Sequence, residues 1–185
     1  MSFRRLLCVV ALAVGLVALP GSALAQETNE AHPTFVTVMT GFEEVPGAAT
    51  LATGYAGILV SHDRNTVYYS ITLTDASTRI VAAHLHFAPR GEAGPVVVPL
   101  CGTEANPCQT EGLVTQGSFT AEQFTGPFLN DNLDRLIQEA RAGLIYANVH
   151  STKFPNGEAR GQLVDLASLM REPEPTMPGE PTMGQ

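Results

Sequence analysis

Eight short segments rich in β-branched, aromatic and other apolar residues follow one another along this chain, and each is cut off by turn residues before it can grow into anything longer. They are 35-FVTVMTG-41, 54-GYAGILVS-61, 66-TVYYSITLTD-75, 80-IVAAHLHF-87, 95-PVVVPL-100, 112-GLVTQGSFT-120, 144-LIYANVH-150 and 158-EARGQLVD-165. Period-two alternation or a short continuous apolar run is the signature of strands with one or both faces buried. The second and third segments are joined by His62-Asp63-Arg64-Asn65, a hairpin loop by composition. Many such strands with short connections specify an all-β fold, a Greek-key sandwich or barrel. One interruption has another period: Leu133, Leu136, Ile137 and Ala140 recur at helical spacing. A short helix is therefore expected near 130–142, capped by an asparagine among residues 130–132 and stopped by Gly143. Just before it, Thr120 with Gln123 has the spacing of a capping box.

The two ends read differently from the middle. Residues 1–25 place Arg4 and Arg5 before an apolar run that closes on Ala23-Leu24-Ala25, which is the pattern of a signal peptide cleaved after Ala25. A polar leader, 26–34, precedes the domain, which is expected over 35–166. The remainder, 167–185, contains a repeated Glu-Pro-Thr-Met and lacks apolar periodicity, so it is expected to be a disordered tail. Its methionines are the soft donors that Cu(I) prefers. Without the first 25 residues the chain has eight basic and eighteen acidic residues, a formal charge of −10. That balance argues against nucleic acid or an anionic membrane as a partner, and no later apolar run is long enough to span a bilayer. The expected location is outside the cytoplasm, with an extracellular protein or surface as partner. Only Cys101 and Cys108 remain after cleavage, and in an oxidising compartment 101-CGTEANPC-108 reads as a local disulfide.

Three of the five histidines sit in 83-AHLHFAPRGEAGP-95 and 147-ANVHSTKFPNGEARGQL-163. Alternation puts His84 and His86 together with Ile80 and Ala82, opposite a more apolar face of Val81, Ala83, Leu85 and Phe87. In the later segment His150 shares a face with Leu144, Tyr146 and Asn148. If the two strands are neighbours, His84, His86 and His150 meet on one surface as a three-imidazole set suited to copper or zinc. The competing reading is that each ring satisfies backbone groups of the turn that follows it. His32 and His62 read as solvated residues. Glu158 and Arg160 share a strand face and either form a surface ion pair or close onto the histidine face, and Arg160 is the one candidate for guiding an anion. Asn148 either orients His150 or bonds to a turn. No Ser/His/Asp constellation and no phosphate-cradling glycine loop is present, and the residues favour binding over catalysis.

Taken in order, 40-TGFEEVPGAATLATGYAGI-58, 82-AAHLHFAPRGEAGPVVVPL-100 and 142-AGLIYANVHSTKFPNGEARGQL-163 resemble the blocks of the CHRD domain, the module repeated in chordin and found singly in secreted microbial proteins. The carrying features are a Glu-x-Pro start, a His-x-His before a glycine-rich turn, and an Asn-Val-His…Phe-Pro-x-Gly-Glu-x-Arg-Gly close. The resemblance implies an extracellular immunoglobulin-like or Greek-key β domain that acts as a binding module. The pattern is also similar to copper-zinc superoxide dismutases, which are Greek-key barrels with a His-x-His, a later histidine, a disulfide and an arginine. That likeness implies a superoxide-dismutase-like fold and, as an alternative function, a mononuclear copper protein with redox activity. The chain departs from that family after His86, where the loop has no histidine, so a zinc subsite and a bridging imidazole cannot be assembled.

Overall fold

The computed structural model describes residues 32–110 and 112–171. The expected signal peptide, most of the leader and residues 172–185 of the expected tail lie outside the described residues. The strands are β1 (Thr34–Thr40), β2 (Thr53–Val60), β3 (Val67–Thr74), β4 (Ile80–Phe87), β5 (Val96–Cys101), β6 (Gly112–Phe119), β7 (Ile145–Ser151), β8 (Ala159–Gln162) and β9 (Val164–Asp165). Two helices accompany them, α1 (Leu133–Arg141) and the four-residue α2 (Leu166–Leu169). All pairings are antiparallel, and the order across the sheet is β5-β4-β7-β8-β1-β2-β3-β6, with β9 beside β1. Sequence neighbours β3 and β4 are thus far apart in the sheet, a Greek-key connection.

The sheet curls into a nearly closed barrel. At the seam between β5 and β6 the closure uses side chains, since the hydroxyls of Tyr69 and Thr115 both donate to Leu100 O (2.9 and 3.5 Å). Inward-facing Phe35, Met39, Ile71, Leu73, Leu85, Leu100 and Ile145 form the core, with Leu136 of α1 and Phe128 covering one end. Each fully buried Leu, Ile or Phe contributes roughly 1.5–3 kcal/mol relative to exposure, so a core of this size is what holds the curl. The disulfide joins Cys101 to Cys108, with the two Cα atoms 5.2 Å apart, and closes the loop leaving β5.

The helix forms where its period predicts. Asn132 is the N-cap, its side chain accepting from Arg135 N at 3.2 Å, and Leu133, Leu136, Ile137 and Ala140 are all buried. Thr120 and Gln123 make the expected capping box around a single 3-10 turn. Two differences from the sequence reading have local causes. The segment 158–165 is split, with Leu163 buried in the core between β8 and β9. The assignment of Ile80 to the histidine face is overturned, because an irregularity in the β4–β7 register between Ile80 and Ala82 turns Ile80 into the core.

Candidate metal centre

The register of β4 with β7 settles which side chains can meet. His84 lies opposite Asn148, His86 opposite Tyr146, and Ala82 opposite His150. Directly opposed Cβ atoms on one face are about 5 Å apart and diagonal ones about 7 Å, so three imidazoles on this grid are within reach of one another. Ligand-capable atoms of His84, His86 and His150 all lie within 4.8 Å of each other. The core side of the same strands is filled by Ala83, Leu85, Ala147 and Val149, each fully buried. The expected juxtaposition of the three histidines is therefore present, while His32 and His62 are exposed and form their own edge-on pair, with ring centroids 5.5 Å apart.

Each outer histidine is aimed by the turn that follows it. His86 Nδ1 donates to Gly94 O at 2.9 Å, and His150 Nδ1 donates to Pro155 O at 3.0 Å. These carbonyls fix the tautomers and leave the Nε2 of both rings as bare lone pairs. His150 Nε2 faces His84 Nδ1 at 3.1 Å, so in the neutral state His84 supplies the hydrogen between them. His86 Nε2 is buried and has no hydrogen-bond partner among the described residues. The backbone thus takes one nitrogen of His86 and of His150, as the turn-bonding reading expects, and leaves the other nitrogen of each ring free of the backbone.

The rings are also held neutral. Burial, with His150 and His86 nearby, lowers the pKa of His84 to about 4; burial outweighs the Gly94 hydrogen bond and, with His150 and Arg160, lowers that of His86 to about 4. Burial likewise lowers His150, against the opposing bond to Pro155. At neutral pH all three therefore keep the lone pairs that ligation needs.

The sequence reading gave no role to two residues beside the cluster. Tyr146, on the central strand, receives the His86 ring from β4 (centroids 4.8 Å apart, planes 10° apart) and the Arg160 guanidinium from β8 (3.7 Å from the ring centroid). Its placement on the histidine face was legible from alternation. Glu44 lies in the loop after β1; its two oxygens accept from Asn148 Nδ2 at 2.9 and 3.2 Å, and it is only 8 % exposed. Burial raises its pKa to about 7, opposed by Arg160, Asn148 and the backbone at Val45. Its one sequence signal was the Glu-x-Pro start, since nothing periodic points a loop carboxylate at a strand residue 104 positions away.

One expectation about neighbouring charges needs correction. Glu158 and Arg160 do not form a surface ion pair: both are buried, and their side chains bond elsewhere. Glu158 accepts from Thr50 Oγ1 at 2.8 Å and Ser77 N at 2.6 Å, and Arg160 donates to Glu92 O at 2.8 Å. Burial pushes the Glu158 carboxyl up, but hydrogen bonds from Ser151, Ser77 and Thr50 outweigh it and hold its pKa below the usual value. Asn148 takes the second of its two readings, bonding to the loop that follows β1 and not to His150.

A family model for the CHRD domain matches residues 35–163, most of the described chain. No curated protein and no solved structure matches. Each block of the matched signature has a place in the geometry above. The Glu-x-Pro start brings Glu44, the His-x-His and its glycine-rich turn bring His84, His86 and Gly94, and the close brings Asn148, His150, Pro155 and Arg160.

Proposed function

The chain belongs to the CHRD-domain family, and on that premise we propose that it is a secreted binding module that holds one transition-metal ion, copper or zinc, between His84, His86 and His150. The observation that carries this reading is His86 Nε2, a lone pair buried without a partner and directed to a cluster in which two further imidazoles converge. A buried acceptor left unpaired costs about 1–3 kcal/mol, and a cation removes that cost. The donor set fits: three neutral imidazoles suit zinc and copper, whereas the two described cysteines are consumed by their disulfide. Two nitrogens on one tetrahedral zinc at about 2.0–2.1 Å lie about 3.4 Å apart. The 3.1 Å between His84 Nδ1 and His150 Nε2 is close to that separation once the His84 hydrogen moves to its own Nε2, and the 4.8 Å limit of the full set requires only a modest inward rotation. Bound metal would supply Lewis acidity or a redox couple; the chain supplies orientation through Gly94 O and Pro155 O.

Secretion is supported by the leader sequence and by the disulfide. No helix among the described residues is long and apolar enough to cross a membrane. The dismutase alternative loses one of its supports, since Arg160 is 2 % exposed and committed to Tyr146 and Glu92 O. The deciding experiment is dialysis of residues 26–185 against micromolar Cu(II) and Zn(II), followed by measurement of bound metal. About one equivalent is expected. His84→Ala and His150→Ala lose it, and His62→Ala keeps it. Retention below about a tenth of an equivalent ends the metal reading, and equal loss in the His62 and His84 variants identifies the binding as adventitious.

A further inference from the structure

Glu44 is a carboxylate enclosed beside the histidine face with no cation in direct contact. Among the described residues its side chain makes no ion pair, while its neighbour Glu43 pairs with Arg90. Among the described residues Asn148 is its only side-chain hydrogen-bond partner, and Asn148 is in turn opposite His84 on β4 and opposite Arg160 on β8. The enclosure is built in. A Cβ at Gly157, whose φ is +138°, would meet the two Glu44 oxygens at 2.5 and 2.6 Å, so any other residue there would displace the carboxyl.

Asn148 gives a reason for a proton to reside here. Its Nδ2 bridges both Glu44 oxygens, and its Oδ1 is buried without a partner. A protonated carboxyl rotated slightly in place can donate to Oδ1 while accepting from Nδ2, the cyclic acid–amide pairing that gives Oδ1 a partner and keeps one Nδ2 hydrogen on the carboxyl. An ionised carboxyl leaves Oδ1 unpaired. We propose that Glu44 is the proton store of the three-histidine site, losing its proton to bulk buffer when a divalent cation binds the imidazoles and regaining it when the cation leaves. The step balances in charge: the Oε–H bond breaks, the proton enters solvent, and the incoming dication faces the carboxylate across Asn148. The imidazoles are already neutral at pH 7, and Glu44 is the buried group near them poised to exchange a proton. The other charges around it are Arg160 of β8, which favours the ionised form, and Lys153, which lines the same cleft of about 260 Å³. Glu44 is thus a positioning and proton-holding group, and its role rests on the metal reading above.

The test is calorimetric titration of Zn(II) into residues 26–185 at pH 7 in buffers of different ionisation enthalpy, comparing the native protein with Glu44→Gln. The native protein should release about half a proton per zinc more than the variant, since a group with a pKa of about 7 is half protonated at that pH. The excess should fade above pH 8.5. A second measurement needs no variant: the infrared stretch of a protonated carboxyl should be present at pH 6 and vanish on addition of zinc. Zinc uptake with equal proton release by the two proteins, or with no loss of the infrared signal, overturns the role of Glu44 and leaves the metal site standing. Absence of zinc uptake by the native protein removes both.

Discussion

The Nδ1 hydrogens of His86 and His150 are fixed by carbonyls eight and five residues further on, Gly94 and Pro155, so one short motif carries both a histidine of the cluster and the group that orients it. This is why a spacing pattern in the sequence could point to the cluster at all. Glu44 is different, because its partner Asn148 is 104 residues away and no local pattern encodes the contact. Its consequence for stability is measurable and has a definite sign. The folded-state pKa is about 7 against an ordinary 4.5. Between those values the folded protein retains a proton that the unfolded chain has lost, so rising pH disfavours the folded state. The native protein should therefore lose stability relative to Glu44→Gln as pH rises from 4.5 to about 7, by a total on the order of 3 kcal/mol. The depressed histidines act in the opposite sense, costing stability as pH falls below 6.5, but they are common to both proteins and cancel in the difference. Urea unfolding of the pair at pH 5 and pH 8, with a chelator present, measures it; a pH-independent difference would contradict the enclosure of the carboxyl.

At the level of strands and helices, legibility followed local periodicity. β2 and β3 were readable because their inward and outward residues alternate cleanly, and α1 because its apolar stripe and Asn132 cap agree, whereas β7 is buried along its whole length and was legible only as a short apolar run. Ile80 was misplaced because a register irregularity breaks the parity on which the inference rests. The adjacency of β4 and β7, on which the site depends, had to be assumed, since strand order is set by the whole core and not by either strand. Two element-scale predictions follow from contacts now on view. Asn132→Ala removes the acceptor for Arg135 N and should cost about 1 kcal/mol in chemical unfolding. Replacing Cys101 and Cys108 together by serine opens a loop of sequence separation 7 and should cost about 2–3 kcal/mol by chain entropy. Because Cys101 pairs with Ala83, next to His84, the same double variant tests whether the site depends on the covalent loop. Metal uptake should survive, as Gly94 O and Pro155 O lie outside it; a loss of uptake at temperatures where the variant is folded would assign the disulfide to the site.

For the molecule as a whole, the barrel, the disulfide and the histidine face form one system. The strands that carry the histidine cluster, β4 and β7, sit between β5 and β8, each held on both edges by ladder bonds, so the imidazoles project from a part of the sheet that opens only when the barrel does. A cation held there binds the folded state and finds no equivalent site in the unfolded chain, whose histidines are 64 residues apart in sequence between His86 and His150. Binding must then appear as global stability. At a free zinc concentration one hundred times the dissociation constant the gain is about 2.7 kcal/mol. For a chain of this size each kcal/mol corresponds to roughly 2–4 °C in Tm, giving an upward shift of about 5–10 °C. The shift should be absent in His86→Ala, reversible with chelator, and unchanged in His62→Ala, whose ring lies in an exposed hairpin. A thermal scan in which zinc raises the Tm of native protein and His86→Ala equally would place the ion elsewhere on this acidic surface, and a scan with no shift for either would show that the buried lone pair of His86 is met by something other than a metal.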